Sequence, residues 1–107
     1  METAHIRDFA GKRIHLIGIG GSSMSGLAEM LMDQGYQVTG SDRDETYLIH
    51  HVREKGGSVT IGHRAENVHG ADLVVYSAAI HPDNPERAEA DRLGIPSMDI
   101  APSGEGA

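Results

Sequence analysis

The residues with the clearest chemical potential form one stretch, Gly18-Ile19-Gly20-Gly21-Ser22-Ser23-Met24-Ser25-Gly26. Residues without a Cβ let the backbone approach another group closely, and a helix starting just after them offers unpaired N–H groups and the positive end of its dipole. The chemistry this predicts is the binding of an anion, a diphosphate above all. Gly18 is expected to make the tight turn, and Gly20 to let a pyrophosphate come up to the backbone. A dinucleotide-binding fingerprint would place its third glycine at residue 23, where this chain has Ser23. The same glycines would also serve a plain strand-to-helix turn with no ligand.

A second group with chemical potential is Asp42, in Gly40-Ser41-Asp42. It lies about 20 residues past the loop, where a nucleotide fold carries the acid that meets the ribose. A carboxylate there can accept hydrogen bonds from sugar hydroxyls or a base N–H. Asp also suits a helix N-cap or a turn, and on its own Asp42 fits either role.

These residues need elements to hold them. Residues 13–19 are a short apolar run that suits a buried strand. Met24, Leu27, Ala28, Leu31 and Met32 recur at helical spacing, which predicts a helix over 22–34 that stops at Gly35. Strands are expected over 36–40, 58–61, 72–76 and 96–100, with helices over 46–55 and 85–93. Pro85 sits in the first turn of the last helix, and Gly94 ends it. Strands alternating with helices over short connections predict a Rossmann-like α/β fold: three layers, α/β/α, around a mainly parallel five-stranded sheet. Residues 1–100 are expected to form one domain, and 101–107, Ala-Pro-Ser-Gly-Glu-Gly-Ala, a flexible tail or truncation point.

Composition narrows the function classes. A chain of 107 residues is the size of one domain, and the absence of cysteine rules out disulfides and thiolate metal sites. The net charge is −7 and the nine Lys and Arg are scattered, so nucleic acid is not an expected partner. That charge also means a phosphate site must rely on local N–H groups. The apolar runs are far shorter than the roughly 20 residues a bilayer span requires, so no membrane association and a cytoplasmic location are expected.

Four ordered motifs carry a family resemblance. His15-Leu-Ile-Gly18-Ile-Gly20-Gly21-Ser-Ser-Met24-Ser25-Gly26-Leu-Ala-Glu resembles the opening of those Mur ligases that join L-alanine to UDP-N-acetylmuramate. Gly40-Ser41-Asp42 is similar to the end of that family's second strand. Ile61-Gly62-His63-Arg-Ala-Glu66-Asn67-Val68 resembles its Gly-His-x-x-Glu-Asn-Val segment, and Val74 to Glu86 its fourth strand and following loop. The resemblance covers residues 13–96. It implies an ATP- and magnesium-dependent enzyme of bacterial peptidoglycan precursor synthesis, working through an acyl phosphate. In such enzymes the N-terminal domain holds the UDP-sugar, while central and C-terminal domains handle ATP and the amino acid.

By resemblance, Gly20, Gly21, Ser22 and Ser23, with Gly18 and Met24 beside them, would surround the diphosphate, and Asp42 would meet the ribose or uracil. Ser77, Ala78, Ala79 and Ile80, at the end of strand four, would complete the crevice, with Ala78 facing Gly20. Ser77 fits a phosphate or sugar contact and a strand-end cap equally. His63 fits either a donor to phosphate or sugar oxygen or an ordinary surface histidine. His15 is expected to pack within strand one, and His50 and His51 to point to different sides of a helix. Met24, Met30 and Met32 read as core, and Glu86, Glu89 and Asp91 with Arg87 and Arg92 as a solvated helix face. No His, Asp or Glu grouping has zinc spacing, so neither a metal nor a catalytic residue is expected here.

The chain departs from the family in three respects. It has no Gly-x-x-x-x-Gly-Lys-Ser/Thr, so no cofactor is expected in this domain, which alone should bind ligand without catalysing amide formation. After Gly94-Ile95-Pro96 it reads Ser-Met-Asp-Ile-Ala-Pro-Ser, unlike the family's continuation, and Ser23 stands where the family loop usually has glycine. An NAD-binding regulatory or redox domain would use the glycine loop and Asp42 equally well. It would have no need of the Gly-His-x-x-Glu-Asn-Val or Ser-Ala-Ala-Ile segments. A domain that acts through protein contacts alone is a third reading, and a ligase that recycles a ready-made tripeptide is a close relative of the first.

Overall fold

Short branched apolar runs separated by glycine stops produce a regular alternation of strands and helices. The computed structural model describes residues 11–77 and 79–100. In chain order these form β1 (Arg13–Ile17), α1 (Ser22–Asp33), β2 (Gln37–Asp42), α2 (Tyr47–Glu54), β3 (Ser58–Ile61), a 3-10 turn (Ala65–Val68), β4 (Leu73–Ser77), α3 (Pro85–Leu93) and β5 (Ser97–Ile100). The strands make one sheet in the order β3-β2-β1-β4-β5, and every pairing is parallel. The expected Rossmann-like α/β class is the one observed. β1 lies at the centre, and the order reverses between it and β4. In open parallel sheets, the crevice for a ligand lies beyond the strand ends at such a reversal.

The strand period of two sends alternate β1 residues to opposite faces. Ile14 and Leu16 join Met24, Ala28 and Leu31 of α1 and Ile49 and Val52 of α2 in an apolar core on one side. Ile17 turns to the other side, where it packs with Val68, Ala71, Val74 and Ala90 of α3. His15, also on that second face, is buried as expected, but among polar partners.

The ends of the elements show what pattern alone did not. β1 stops at Ile17 because Gly18 N–H and Ile19 N–H both donate to the Ser41 carbonyl, at 2.8 and 3.0 Å, which bends the chain over the end of β2. β2 runs on to Asp42, two residues past its expected end, because Ser41 and Asp42 still pair with Thr60 and Ile61. The 3-10 turn has one buried apolar residue, Val68, and so no periodicity to announce it. α3 starts at a built cap: Asn84 Oδ1 accepts from Glu86 N–H and Arg87 N–H at 2.9 and 3.3 Å, with Pro85 in the first turn.

Two expectations about side chains are corrected. Met30 is 48% exposed, whereas Met24 is buried and Met32 packs against the core, so the three are not one cluster. Glu86 is not part of a solvated face; it is fully buried. It stands in the first turn of α3, which aims it back at the sheet, where His15 and Ser41 supply donors. Residues 101–107 and Ala78 lie outside the described residues.

Candidate functional site

The glycine loop fills the space between β1 and α1. Gly18 has φ +84°, a left-handed conformation that favours glycine, and it delivers the expected tight turn. A Cβ there would lie 3.6 Å from Ile80 Cδ1, so the loop after β1 and the loop after β4 meet at Gly18 and Ile80, while the expected facing of Gly20 and Ala78 lies outside the described residues. Gly20 is crowded by the chain's own side chains. Its N–H donates to Asp42 Oδ2 at 2.8 Å, and a Cβ would come within 2.9 Å of that oxygen and 3.1 Å of Ile49 Cδ1. These two side chains leave no room for a larger residue there.

α1 then begins without a side-chain cap; Gly21 is its N-cap. The N–H groups of Ser22, Ser23 and Met24 have no hydrogen-bond acceptor among the described residues. Orphan donors at the start of a helix of this length attract an anion, typically by about 0.3–1 kcal/mol at an exposed end. The Met24 side chain is buried in the core, leaving only its backbone for a ligand.

Beside this helix start, beyond the carboxyl ends of the strands, opens a cleft of about 340 Å3. Gly18, Asp42, His63, Ala79 and Ile80 of the expected set line it. Gly20, Gly21, Ser22, Ser23, Met24 and Ser77 are not part of its lining. Ser77 Oγ instead accepts from Ala79 N–H at 3.3 Å, a strand-end turn. Sequence reasoning missed four lining residues: Arg43, His81, Asp83 and Asn84. The last three lie in the loop after β4, already notable as the approach to α3. Arg43 had only its position just past Asp42 to signal it. Arg43 is highly exposed and makes one loose contact, 3.7 Å, to Asp44.

Behind the cleft lies a buried polar network centred on Glu86. One of its oxygens accepts from Ser41 Oγ at 2.6 Å and from His15 Nε2 at 2.7 Å. The other accepts from Asn67 Nδ2 at 2.7 Å and Arg64 N–H at 3.0 Å. Burial pushes the Glu86 carboxyl up, but the hydrogen bonds from His15, Ser41 and Asn67, with the charge of His15, outweigh it and hold the group down at about 2. His63 joins the network from the cleft side, with Nδ1 3.0 Å from Ser41 Oγ and 3.7 Å from the second Glu86 oxygen. On the far side, His15 Nδ1 meets Thr39 Oγ1 at 2.8 Å. A carboxylate one turn further along α3, Glu89, half-buried, is also held at about 2, by Arg92 and then His69.

The model of the Mur ligase family catalytic domain matches residues 13–102. The chain belongs to the Mur ligase family. It is similar to the UDP-N-acetylmuramate–L-alanine ligase of Alkaliphilus metalliredigens, with 54% identity over 90 residues, 84% of this chain and 20% of that protein. Among solved structures it resembles the UDP-N-acetylmuramate–alanine ligase of Thermotoga maritima, at 34% identity and a TM-score of 0.79, over 82% of this chain and 20% of that one. A second is the UDP-N-acetylmuramate:L-alanyl-gamma-D-glutamyl-meso-diaminopimelate ligase from Neisseria meningitides. It is 29% identical with a TM-score of 0.77, over 84% of this chain and 29% of that one. The chain therefore spans about a fifth of the length of the curated relatives it matches. Among the described residues no helix is long and apolar enough to cross a membrane.

Proposed function

We propose that this chain is the UDP-sugar-binding domain of an ATP-dependent UDP-N-acetylmuramate–L-alanine ligase, a cytoplasmic bacterial enzyme of peptidoglycan precursor synthesis. The observation that carries the reading is the open start of α1, with the N–H groups of Ser22, Ser23 and Met24 unpaired, four residues after Gly18, which lines the cleft at the β1–β4 reversal. The diphosphate sits on those donors. Asp42, fixed by Gly20, and His63 lie along the cleft for the ribose, uracil or phosphate oxygens, and Ala79 and Ile80 form its far wall. Among solved structures the L-alanine ligase is 34% identical and the tripeptide ligase 29%, and the 54% identity to a curated L-alanine ligase adds to the case for the former.

ATP and magnesium have no fit to these residues. The sequence lacks a Gly-x-x-x-x-Gly-Lys-Ser/Thr loop, and the described residues hold no group of three or more His, Cys, Asp or Glu side chains that could bind a metal. The domain, residues 1–100, contributes by binding and orienting the UDP-sugar for central and C-terminal partner domains of the kind the resemblance implies. Alone it forms no amide.

The test is a titration of the isotope-labelled chain with UDP-N-acetylmuramate, UDP and NAD, followed by amide shifts. Saturable shifts at Gly18–Met24, Asp42, His63 and Ser77–Ile80 with the UDP-sugar, and none with NAD, are expected. Selective shifts with NAD would replace this reading with the dinucleotide one. Silence with all three would leave the domain as a module of protein contacts.

A further inference from the structure

The direction of each hydrogen bond in the Glu86 network determines what His63 can offer a ligand. Glu86 is ionised at neutral pH, so both its oxygens only accept. Ser41 has a single hydroxyl proton and spends it on Glu86 at 2.6 Å. Toward His63, 3.0 Å away, Ser41 Oγ therefore presents a lone pair, and His63 Nδ1 must be the protonated nitrogen. In the neutral imidazole the other nitrogen, Nε2, then carries a lone pair. Nε2 has no partner among the described residues, and the ring, largely buried, lines the cleft. A lone pair repels an anionic oxygen. Only the imidazolium, with protons on both nitrogens, can donate to one.

On the reading that the cleft takes a nucleoside diphosphate, we propose that His63 binds it as the imidazolium: an anionic ligand oxygen engages Nε2 as that nitrogen takes up a proton from solvent, and the buried Glu86 carboxylate is the built-in counter-ion. One N–H bond forms at Nε2, no bond breaks in the ligand, and the net charge of the complex rises by one. Glu86 is a positioning residue in this scheme. It acts through Ser41, which fixes the ring's tautomer, and directly across 3.7 Å, where its charge faces Nδ1. The other charged or titratable groups around His63 are Asp42 at the end of β2, Arg43 just after it, His81 and Asp83 in the loop after β4, and His15 of β1 on the far side of Glu86. Asp42 and Asp83 favour the imidazolium, while Arg43, and His15 through its charge on the other Glu86 oxygen, oppose it.

The experiment is calorimetric titration of the full chain with UDP-N-acetylmuramate at pH 7.5, in buffers of low and high ionisation enthalpy. This ligand's diphosphate is substituted at both ends and does not titrate near neutrality. Uptake approaching about one proton per ligand is expected, with affinity falling up to about tenfold per pH unit as pH rises through the linked range. His63→Gln should abolish the uptake and flatten the pH profile. Glu86→Gln should lower the uptake and weaken binding at neutral pH, with affinity recovered on acidification, which a purely structural defect would not give. Binding with no proton exchange would overturn the proposal while leaving the UDP-sugar reading standing, since a neutral Nε2 accepts from a sugar hydroxyl or a base N–H. Loss of the uptake in His81→Gln rather than His63→Gln would also overturn it. Absence of any binding heat would remove both the proposal and the reading beneath it.

Discussion

The two faces of the sheet are built on different principles. Toward α1 and α2 the core is apolar throughout: Ile14, Leu16, Leu31, Ile49, Val52 and their neighbours interdigitate. Toward α3 a smaller apolar cluster is joined to a buried carboxylate with its donors His15, Ser41, Asn67 and the Arg64 N–H. The first face is non-directional and tolerates small shifts. The second is directional, since each donor serves one acceptor, and it holds the cleft residue His63 in place. Burial stabilises both faces, and the second also holds a cleft side chain, His63, through Ser41.

The widest separation between the faces should come from removing the hub of the polar one. Glu86→Ala leaves four donors facing an acceptor that is gone, and urea unfolding should show a loss of about 4 kcal/mol. Glu86→Gln keeps shape and part of the bonding and should lose less than half of that. On the apolar face, Leu31→Ala should cost about 3.5 kcal/mol through the cavity it leaves. Met30→Ala, one residue earlier in α1 but half-exposed, should stay within about 0.5 kcal/mol. If the Met30 variant cost as much as the Leu31 one, the division of α1 into a buried and an exposed side would be wrong.

Acid should separate the faces next. The Glu86 carboxyl is held at about 2 against an ordinary 4.5, so the folded state binds its proton later than the unfolded one. The associated stability is fully present above pH 4.5 and is lost as pH falls toward 2, amounting to about 3 kcal/mol in all. Stability curves between pH 6 and 2 should show this limb in the natural chain and a shallower one in Glu86→Gln. An equal limb in both would place the acid sensitivity elsewhere. The smallest expected effect belongs to the cap that aims Glu86 inward. Asn84→Ala should cost about 1 kcal/mol, with the His63 ring resonances shifting as the first turn of α3 loosens.

The same contrast explains what was legible in the sequence. The apolar face writes itself as period: Met24, Leu27, Ala28, Leu31 and Met32 gave α1, and the branched runs gave the strands. Gly18 showed its turn because positive φ leaves few alternatives. Glu86 was illegible because it sits among Glu89, Asp91, Arg87 and Arg92 in what looks like a charged surface helix. Only the meeting of α3 with β1 and β2 across 71 and 45 residues of chain distinguishes it. The crowding of Gly20 by Asp42 and Ile49 was illegible because both lie more than 20 residues further along the chain. Arg43 and His81 were missed because a cleft between two loops has no period, and adjacency to Asp42 or Ile80 was the sole clue.

The neighbours Ser41 and Asp42 also guard against a wrong pairing of the strands. In the native register Ser41 lies opposite Ile17 and its hydroxyl meets Glu86, while Asp42, one step on, leans the other way to the Gly20 N–H. A slip of β2 by one residue would exchange the two faces. In the direction that moves Asp42 into the place of Ser41, it would bring the Asp42 carboxylate against the Glu86 carboxylate in a buried space and carry Arg43 to the Gly20 N–H. Two like charges there cannot both stay ionised. The misaligned sheet is therefore penalised by electrostatics as well as by lost packing, and the folding chain is driven to the one alignment in which each carboxylate finds donors.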